Sequence, residues 1–303
     1  MEDLNYQGDF SLAVNNELFS RNKDISKIWN DAADRWALTT THKRDHAKDL
    51  IKLKWLYRYL ADMPLHEIDL DIIFTIAYDK KTQTSSSTAN RYLALLRAIL
   101  KAARDDWGWI DHIPRIKLFK EPQPRVRWLK RDEAARLIKQ LPPHLAKQAI
   151  FTLATGLRQR NVSYLRWSQI DMDRCLAIIP AAESKTNRPI TVPLNSDAMA
   201  ILNSVFNDHP IYCFVYNGSP VSRTSTKAWS EAKKRAGIDD FRWHDLRHTW
   251  ASWHVQNGTS LQELQLLGGW KTFEMVLRYA HLSGDHLSLA ARRIETGDQL
   301  PLY

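Results

Sequence analysis

The chain lacks the sequence features that mark membrane proteins, secreted proteins and nucleotide hydrolases. Its 303 residues contain no apolar run long enough to cross a bilayer and no charged-then-apolar leader after Met1. Only two cysteines occur, Cys175 and Cys213, each in a short apolar run, which favours buried thiols over a disulfide or a ligand role. No phosphate-binding P-loop pattern occurs either. The sequence therefore predicts a soluble, intracellular protein.

Acidic residues are outnumbered. The 43 Lys and Arg residues exceed the 34 Asp and Glu residues, which gives a net charge of +9. Such an excess favours a polyanionic partner through counterion release, although many basic proteins bind no DNA. No internal repeat or low-complexity tract is evident, and the length is typical of about two domains.

Two prolines mark the predicted boundary between those domains. Pro122 and Pro124 lie in a basic stretch of poor periodicity, and proline disfavours helix in the residue before it. We therefore predict an extended linker at this point. The predicted units are an N-terminal arm at 1–23, a helical domain at 24–116, the linker at 117–127, and a catalytic domain with a C-terminal tail at 128–303.

Two predicted helices of the first domain, His42–Ala61 and Thr88–Trp107, pair an apolar side with a basic side. The basic side of a lone helix is more often a solvated face, but two such helices ahead of a catalytic half favour DNA contacts. The candidate DNA-binding residues are Arg44, Lys48, Lys52 and Arg91. The apolar positions are Leu50, Leu53, Tyr57 and Leu60 in the first helix and Leu93, Leu96, Leu100 and Ala103 in the second.

The second domain mixes helices with short strands, so the predicted fold class is mainly α with a small β-sheet (α+β). The predicted helices are Asp132–Leu141, Leu145–Thr155, Ser222–Ala236, His244–Gln256, Ser260–Leu267 and Phe273–Tyr279. The predicted strands are Leu176–Pro180 and Pro189–Pro193, joined by a polar turn at Glu183–Arg188, with Ile211–Tyr216 as a third candidate.

The segment WHDLRHTWAS, at residues 243–252, is the most informative one. It places His244 and Arg247 about one helical turn apart, so both side chains can project from one helix face. Arginine presents a planar fork of donors that fits two phosphate oxygens, and histidine exchanges a proton near neutral pH. The pair is suited to chemistry on a phosphodiester.

Further candidates lie in three other segments. In TGLR, Gly156 lets Arg158 open a new helix, where backbone donors and the guanidinium can face an anion. Lys185 lies in the turn between two predicted strands, and Trp270 and Tyr279 bracket a short helix. Taken singly, these residues fit a surface salt bridge, a solvated lysine, core packing and a surface phenol. Their occurrence together favours a functional site.

In this order, the segments resemble the catalytic domain of the tyrosine recombinases, the phage integrase family. The resemblance runs from Arg125 to about Leu287. It includes TGLR, a hairpin lysine before VPL, HDLRHTWAS, and LGGW followed by RYAH. The helical half, which contains SSSTANRYLALLRAIL, resembles the family's core-binding domain.

The resemblance implies a role for each candidate. Tyr279 is the nucleophile that leaves a 3′-phosphotyrosyl bond and a free 5′-hydroxyl. Arg158 and Arg247 hold the non-bridging oxygens, Lys185 is the general acid for the 5′-oxygen, His244 is the acid/base group, and Trp270 contacts the phosphate. Asn161 departs from the pattern, because the family commonly has Glu or Asp three residues after the first arginine.

The implied partners are double-stranded DNA at attachment or recombination sites and three further copies of the chain in a homotetramer, joined by an accessory DNA-bending protein and an excisionase. The implied location is the bacterial cytoplasm, on the nucleoid. Integration and excision of a prophage or mobile element is the favoured biology. The alternatives are a Xer-like recombinase that resolves chromosomes or plasmids, and a non-catalytic DNA-binding protein on the same fold.

No metal or other cofactor is expected. The sequence has no cluster of carboxylates of the kind that holds Mg²⁺ in two-metal nucleases. HDLRH does resemble the zinc-protease pattern H-E-x-x-H, with Asp245 in place of glutamate. Aspartate reaches poorly as a general base, Arg247 puts a cation beside the metal, and no third ligand follows. We therefore expect His248 to be a packed or hydrogen-bonded helix residue.

Overall fold

The computed structural model describes residues 27–122, 126–184, 187–282 and 291–292. The chain divides into two compact units, Met1–Gln123 and Pro124–Tyr303. The predicted arm at 1–23, the central residues of the predicted linker and Lys185 lie outside the described residues. Within the described ranges, no helix combines the length and the apolar character needed to cross a membrane.

The first unit is helical, as predicted. Ser85 begins the longest helix, because its hydroxyl accepts a hydrogen bond from the backbone N–H of Thr88 at 3.3 Å. The predicted inward residues of this helix, Leu93, Leu96, Leu100 and Ala103, are all buried. They pack with Trp29 in the core of the unit. The helices are α1 (Trp29–Thr39), α2 (His46–Leu60), α3 (Leu70–Gln83) and α4 (Ser86–Asp105).

The apolar side predicted for α2 is partly wrong. Leu53 and Leu60 are buried, but Leu50 and Tyr57 are 44% and 49% exposed. The buried stripe instead includes Leu56, which places its centre away from Leu50 and Tyr57 on the helix surface. Tyr57 keeps a polar partner at the surface, because its hydroxyl accepts from the Asn30 amide at 3.2 Å.

The four candidate DNA-binding residues lie on α2, on α4 and just before α2. Arg44 and Arg91 are exposed. Lys48 pairs with Asp45 and Lys52 pairs with Asp49, each at 2.6 Å. The Lys48–Asp45 pair is solvent-exposed and costs little to separate if a phosphate competes for the lysine, since exposed ion pairs contribute little stability. The side chains of Lys52 and Asp49 are only 17% and 13% exposed, so this pair is less open to such competition.

The second unit combines helices with short antiparallel strands, which confirms the predicted fold class. The helices are α5 (Arg131–Gln140), α6 (Pro143–Thr155), α7 (Gln159–Ser163), α8 (Ser196–Val205), α9 (Lys227–Arg235), α10 (Asp245–Gln256), α11 (Leu261–Gly268) and α12 (Glu274–Leu277). The strands are β1 (Ile170–Asp171), β2 (Leu176–Ile179), β3 (Ile190–Pro193), β4 (Val215–Tyr216) and β5 (Ser219–Pro220). Strands β1, β2 and β3 form one sheet in that order, with Ile179 opposite Ile190.

The third strand of the sheet was predicted wrongly. The third strand of this sheet is β1, not the predicted segment 211–216. Residues 211–214 lie outside the sheet, and the Cys213 N–H donates to the Leu165 carbonyl at 2.9 Å. The rest of the predicted strand is β4, which pairs with β5 in a separate hairpin. The turn between β4 and β5 is Asn217–Gly218, with φ of 50° and 71°, as a two-residue hairpin turn of the type I′ class requires.

Helices α8 and α9 both differ from the prediction, and both begin at a side-chain N-cap. The helix predicted from Ser222 begins at Lys227, since the Thr226 hydroxyl accepts from the Trp229 N–H at 3.4 Å. Helix α8 was not predicted, although Asn195 caps it in the same way, by accepting from the Ala198 N–H at 3.0 Å.

Both cysteines are free thiols, as predicted. Cys175 is half-buried, and burial raises the pKa of Cys213 to about 12.

The predicted break at Gly156 separates α6 from α7. Gly156 has φ of 64°, a left-handed conformation that disfavours residues with a Cβ. A Cβ at this position would also lie 2.3 Å from the Trp250 ring of α10. Glycine is therefore required here both by the turn and by the close approach of α10.

We expect Gly156→Ala to lower the free energy of unfolding by about 2–4 kcal/mol, since it adds the left-handed penalty to a clash with Trp250. Gly237→Ala is the matched control, because Gly237 has φ of 66° and open space where its Cβ would be. It is expected to cost about 1 kcal/mol. Urea titrations measure both costs, and equal values would show that the clash contributes nothing.

Candidate active site

The site is organised around Arg247, which lies in the first turn of α10 and is 4% exposed. One guanidinium nitrogen, Nη1, donates to the carbonyl oxygen of Gly156, and Nη2 donates to that of Gly268 at 2.5 Å. The guanidinium carbon lies 4.3 Å from the centroid of the Trp270 ring. Arg247 therefore holds the turn after α6 and the end of α11 against α10.

Arg158 places a second cation near Arg247. It is the half-buried N-cap residue of α7, two residues after the glycine whose carbonyl Arg247 binds. Burial, and then the charge of Arg158, lower the pKa of Arg247 to about 9, so the side chain remains protonated at neutral pH. Two partly desolvated guanidiniums whose charges repel each other form a site that favours an anion.

Asn161, which departs from the family pattern, contacts the base of the predicted lysine hairpin. Its buried amide donates to the backbone carbonyl of Glu183 at 3.1 Å. The Glu183 carboxylate accepts hydrogen bonds from Arg166 and, at 3.0 Å, from Gln169. Among the described residues, no carboxylate forms a salt bridge with Arg158, and burial alone lowers its pKa. Asn161 thus supports the hairpin rather than the first arginine.

Tyr279 follows α12 and is fully buried, unlike the surface phenol of the simplest interpretation. Its ring centroid lies 6.0 Å from that of Trp270, and its hydroxyl oxygen lies 2.5 Å from Nδ1 of His248. Burial raises the pKa of Tyr279 to about 12, although Arg247 and Arg278 oppose this shift. The phenol is therefore protonated at neutral pH.

The two histidines of HDLRH have different environments. His244 is the exposed N-cap residue of α10, and His248 is half-buried one turn later, with its ring 5.1 Å from that of His244. Burial, followed by the charges of His244, Arg278 and Arg247, lowers the pKa of His248 to about 4. His248 is thus neutral at neutral pH, and its hydrogen bond to Tyr279 confirms that it is a hydrogen-bonded helix residue.

Two residues at the site escaped sequence reasoning. Trp250 stacks on Trp270 with ring centroids 6.0 Å apart. Gly268 leaves room for Trp270, since a Cβ there would lie 1.9 Å from that ring. The position of Trp250 three residues after Arg247, on the same helix face, was the only available signal.

The structure brings together five of the six predicted catalytic residues: Arg158, His244, Arg247, Trp270 and Tyr279. The sixth, Lys185, lies outside the described residues, next to Ser184 of the hairpin. In the described ranges, no three His, Cys, Asp or Glu residues are grouped so that they could hold a metal ion.

Comparison with known proteins identifies the family. Residues 127–286 match the phage integrase family, and because this match covers more than half of the chain, the protein belongs to that family. The chain is 42% identical to the integrase of Salmonella phage P22 over 230 residues, which are 72% of this chain and 59% of that protein. It thus spans less than two thirds of that relative. It is 29% identical to a shufflon-specific DNA recombinase of Escherichia coli, over 88% of this chain and 72% of that protein.

Solved structures show the same fold. The Tn1549 transposon integrase in complex with a circular intermediate DNA matches with a TM-score of 0.72 and 16% identity, over 88% of this chain and 98% of that chain. The lambda integrase dimer bound to a COC′ core site matches with a TM-score of 0.70 and 20% identity, over 97% of this chain and 86% of that chain.

We expect Arg247→Lys to lower the free energy of unfolding by about 2–4 kcal/mol, since lysine cannot donate to both carbonyls from one planar group. Arg235→Lys is the control, because Arg235 also makes two hydrogen bonds, both to Gln140, but at the surface. It should change stability little. Chemical denaturation measures both variants, and an unchanged midpoint for Arg247→Lys would contradict the assignment.

Proposed function

We propose that the protein is a tyrosine site-specific recombinase, which cuts and rejoins DNA strands through a 3′-phosphotyrosyl intermediate. The observation that carries the proposal is the position of Tyr279, whose hydroxyl lies in the same site as two neighbouring guanidiniums. A phenol is a weak nucleophile at neutral pH and needs a base or a cationic site. This site offers both a histidine nitrogen and positive charge.

In the proposed reaction, Arg158 and Arg247 bind the non-bridging oxygens of the scissile phosphate. The Tyr279 oxygen attacks phosphorus, the bond from phosphorus to the 5′-oxygen breaks, and that oxygen leaves as a hydroxyl after it takes a proton. By family resemblance, Lys185 donates this proton, His244 serves as an acid/base group and Trp270 contacts the phosphate. The fixed cations stabilise the charge that develops on the equatorial oxygens.

Rejoining reverses these steps. The 5′-hydroxyl of another strand attacks the phosphotyrosine, and Tyr279 leaves with its proton restored. Because the covalent intermediate conserves the energy of the phosphodiester bond, no ATP is needed. The proposed enzyme thus exchanges strands without net hydrolysis.

The proposed partners are double-stranded DNA, bound by both units, and three further copies of the chain. One structural neighbour is a lambda integrase tetramer bound to a Holliday junction. The identity to the P22 phage integrase favours integration and excision of a prophage or mobile element in the bacterial cytoplasm, assisted by a DNA-bending protein and an excisionase.

Tyr279→Phe is expected to bind target DNA and form no covalent adduct, because the ring and its packing remain while the nucleophilic oxygen is lost. A nicked suicide duplex, which traps the cut state, reports the adduct as a shifted band on a denaturing gel. An adduct formed by this variant would place the nucleophile elsewhere.

Tyr164→Phe, at an exposed phenol of the same unit, is the matched control and should form the adduct normally.

The wild-type reaction is also expected to proceed in excess chelator, because the positive charge comes from side chains. Loss of activity that Mg²⁺ or Zn²⁺ restores would favour a metal-dependent nuclease instead.

Replacing both Arg44 and Lys48 with alanine should weaken DNA binding broadly and flatten its salt dependence, by about 0.9 in the log–log slope for each phosphate that the variant no longer neutralises. Lys81→Ala on α3 is the control, since Lys81 is exposed in the same unit but outside the predicted DNA face. If the double variant has the wild-type slope of DNA affinity against salt concentration, Arg44 and Lys48 do not contact phosphates and belong to a solvated helix face.

A further inference from the structure

His248 makes the hydrogen bond to the proposed nucleophile, yet the roles carried over from the family leave it unused. Its Nδ1 lies 2.5 Å from the Tyr279 hydroxyl oxygen, and the two ring centroids are 5.9 Å apart. His244, one turn earlier on α10, is exposed and has a different environment. The two histidines therefore do not have interchangeable positions relative to the phenol.

The hydroxyl is assigned as the donor in this contact. A phenol is a stronger acid than a neutral imidazole N–H, and an imidazole nitrogen is a stronger acceptor than a phenol oxygen. A neutral His248 with its hydrogen on Nε2 therefore presents the Nδ1 lone pair to Tyr279. In this arrangement the hydroxyl proton already points at the imidazole.

The electrostatics of the site make His248 a weak base before DNA arrives and a stronger one afterwards. Burial and the charges of His244, Arg278 and Arg247 disfavour the imidazolium. A phosphodiester bound by the two arginines brings a negative charge that offsets those cations. Its arrival thus favours protonation of His248 at the stage when Tyr279 must lose its proton.

We infer that His248 receives the phenolic proton of Tyr279 during strand cleavage and returns it during rejoining. This inference rests on the proposed recombinase function. As the bond from the Tyr279 oxygen to phosphorus forms, the hydroxyl proton moves to Nδ1 and His248 becomes an imidazolium. The bond from phosphorus to the 5′-oxygen breaks, and that oxygen takes a different proton from the leaving-group side of the site. The pair returns to its starting state when the next 5′-hydroxyl attacks.

The test compares His248→Asn with the wild-type chain in single-turnover cleavage of the nicked suicide duplex. Asparagine keeps a hydrogen-bond acceptor near the position of Nδ1 but cannot take a proton. We expect cleavage to slow by about 100-fold or more with DNA binding unchanged, in the range typical of general acid–base catalysis. His254→Asn is the control on the same helix, because His254 bonds Thr259 instead, and it should cleave at the wild-type rate.

Two substitutions of the reacting atoms locate the defect. Placing 3,5-difluorotyrosine at position 279 lowers the pKa of the phenol, so its deprotonation needs less help from a base. The gap, which is the ratio of the wild-type cleavage rate to the H248N cleavage rate, should therefore fall at least tenfold. A substrate with sulfur in place of the 5′-bridging oxygen has a leaving group that needs no proton, and it should leave the gap unchanged.

Three results would overturn the inference: an H248N protein that cleaves at the wild-type rate, a gap that fluorination leaves unchanged, or a gap that the bridging sulfur closes. The second result would limit His248 to orienting Tyr279, and the third would move it to the leaving-group side. If the wild-type chain itself forms no adduct, the proposed function fails, and this is seen before any His248 variant is tested.

Discussion

The site depends on one deeply buried cation, the guanidinium of Arg247, which is held between two backbone carbonyls. A charge buried this deeply is tolerated only when its donors are satisfied, and the carbonyls of Gly156 and Gly268 supply two acceptors. These carbonyls belong to the turns that precede Arg158 and Trp270. The contacts that stabilise the cation therefore also fix the residues on either side of the proposed phosphate position.

The charges around Arg247 explain the protonation states of its neighbours. Burial keeps the proton on Tyr279, while burial and nearby positive charges keep it off His248. An acid and a base that are both neutral at rest can share a hydrogen bond without separating charge. Such a pair suits reversible proton transfer, since neither partner is held in a charged form at rest.

The sequence allowed the membership of the site to be predicted better than its packing. The types and order of Arg158, His244, Arg247, Trp270 and Tyr279 were sufficient to select residues that the fold brings together. The contacts of Arg247 were not predictable, since they join residues 91 and 21 positions apart to main-chain atoms that any residue provides. The hydrogen bond between His248 and Tyr279, 31 residues apart, likewise leaves no local signal.

The errors in the predicted fold also arose from contacts between residues that are distant in sequence. Periodicity identified helices such as α4 and α10 and the β2–β3 hairpin. It missed α8, and it could not reveal which face of α2 the core would cover or which segment would pair with β2. Those choices depend on neighbours that are distant in sequence. The Asn217–Gly218 turn, by contrast, is a local sequence signal, since this residue pair favours a two-residue hairpin turn.

The carbonyl partners of Arg247 also have a genetic consequence. When two side chains form a buried contact, a change in one can be compensated by a change in the other, and the pair can drift together. Here only the arginine side of each hydrogen bond is encoded by a side chain, and the acceptor side is the main chain of two glycines, Gly156 and Gly268, which have no room for a Cβ. A screen for second-site suppressors of a weakened Arg247 should therefore recover few changes at its direct partners.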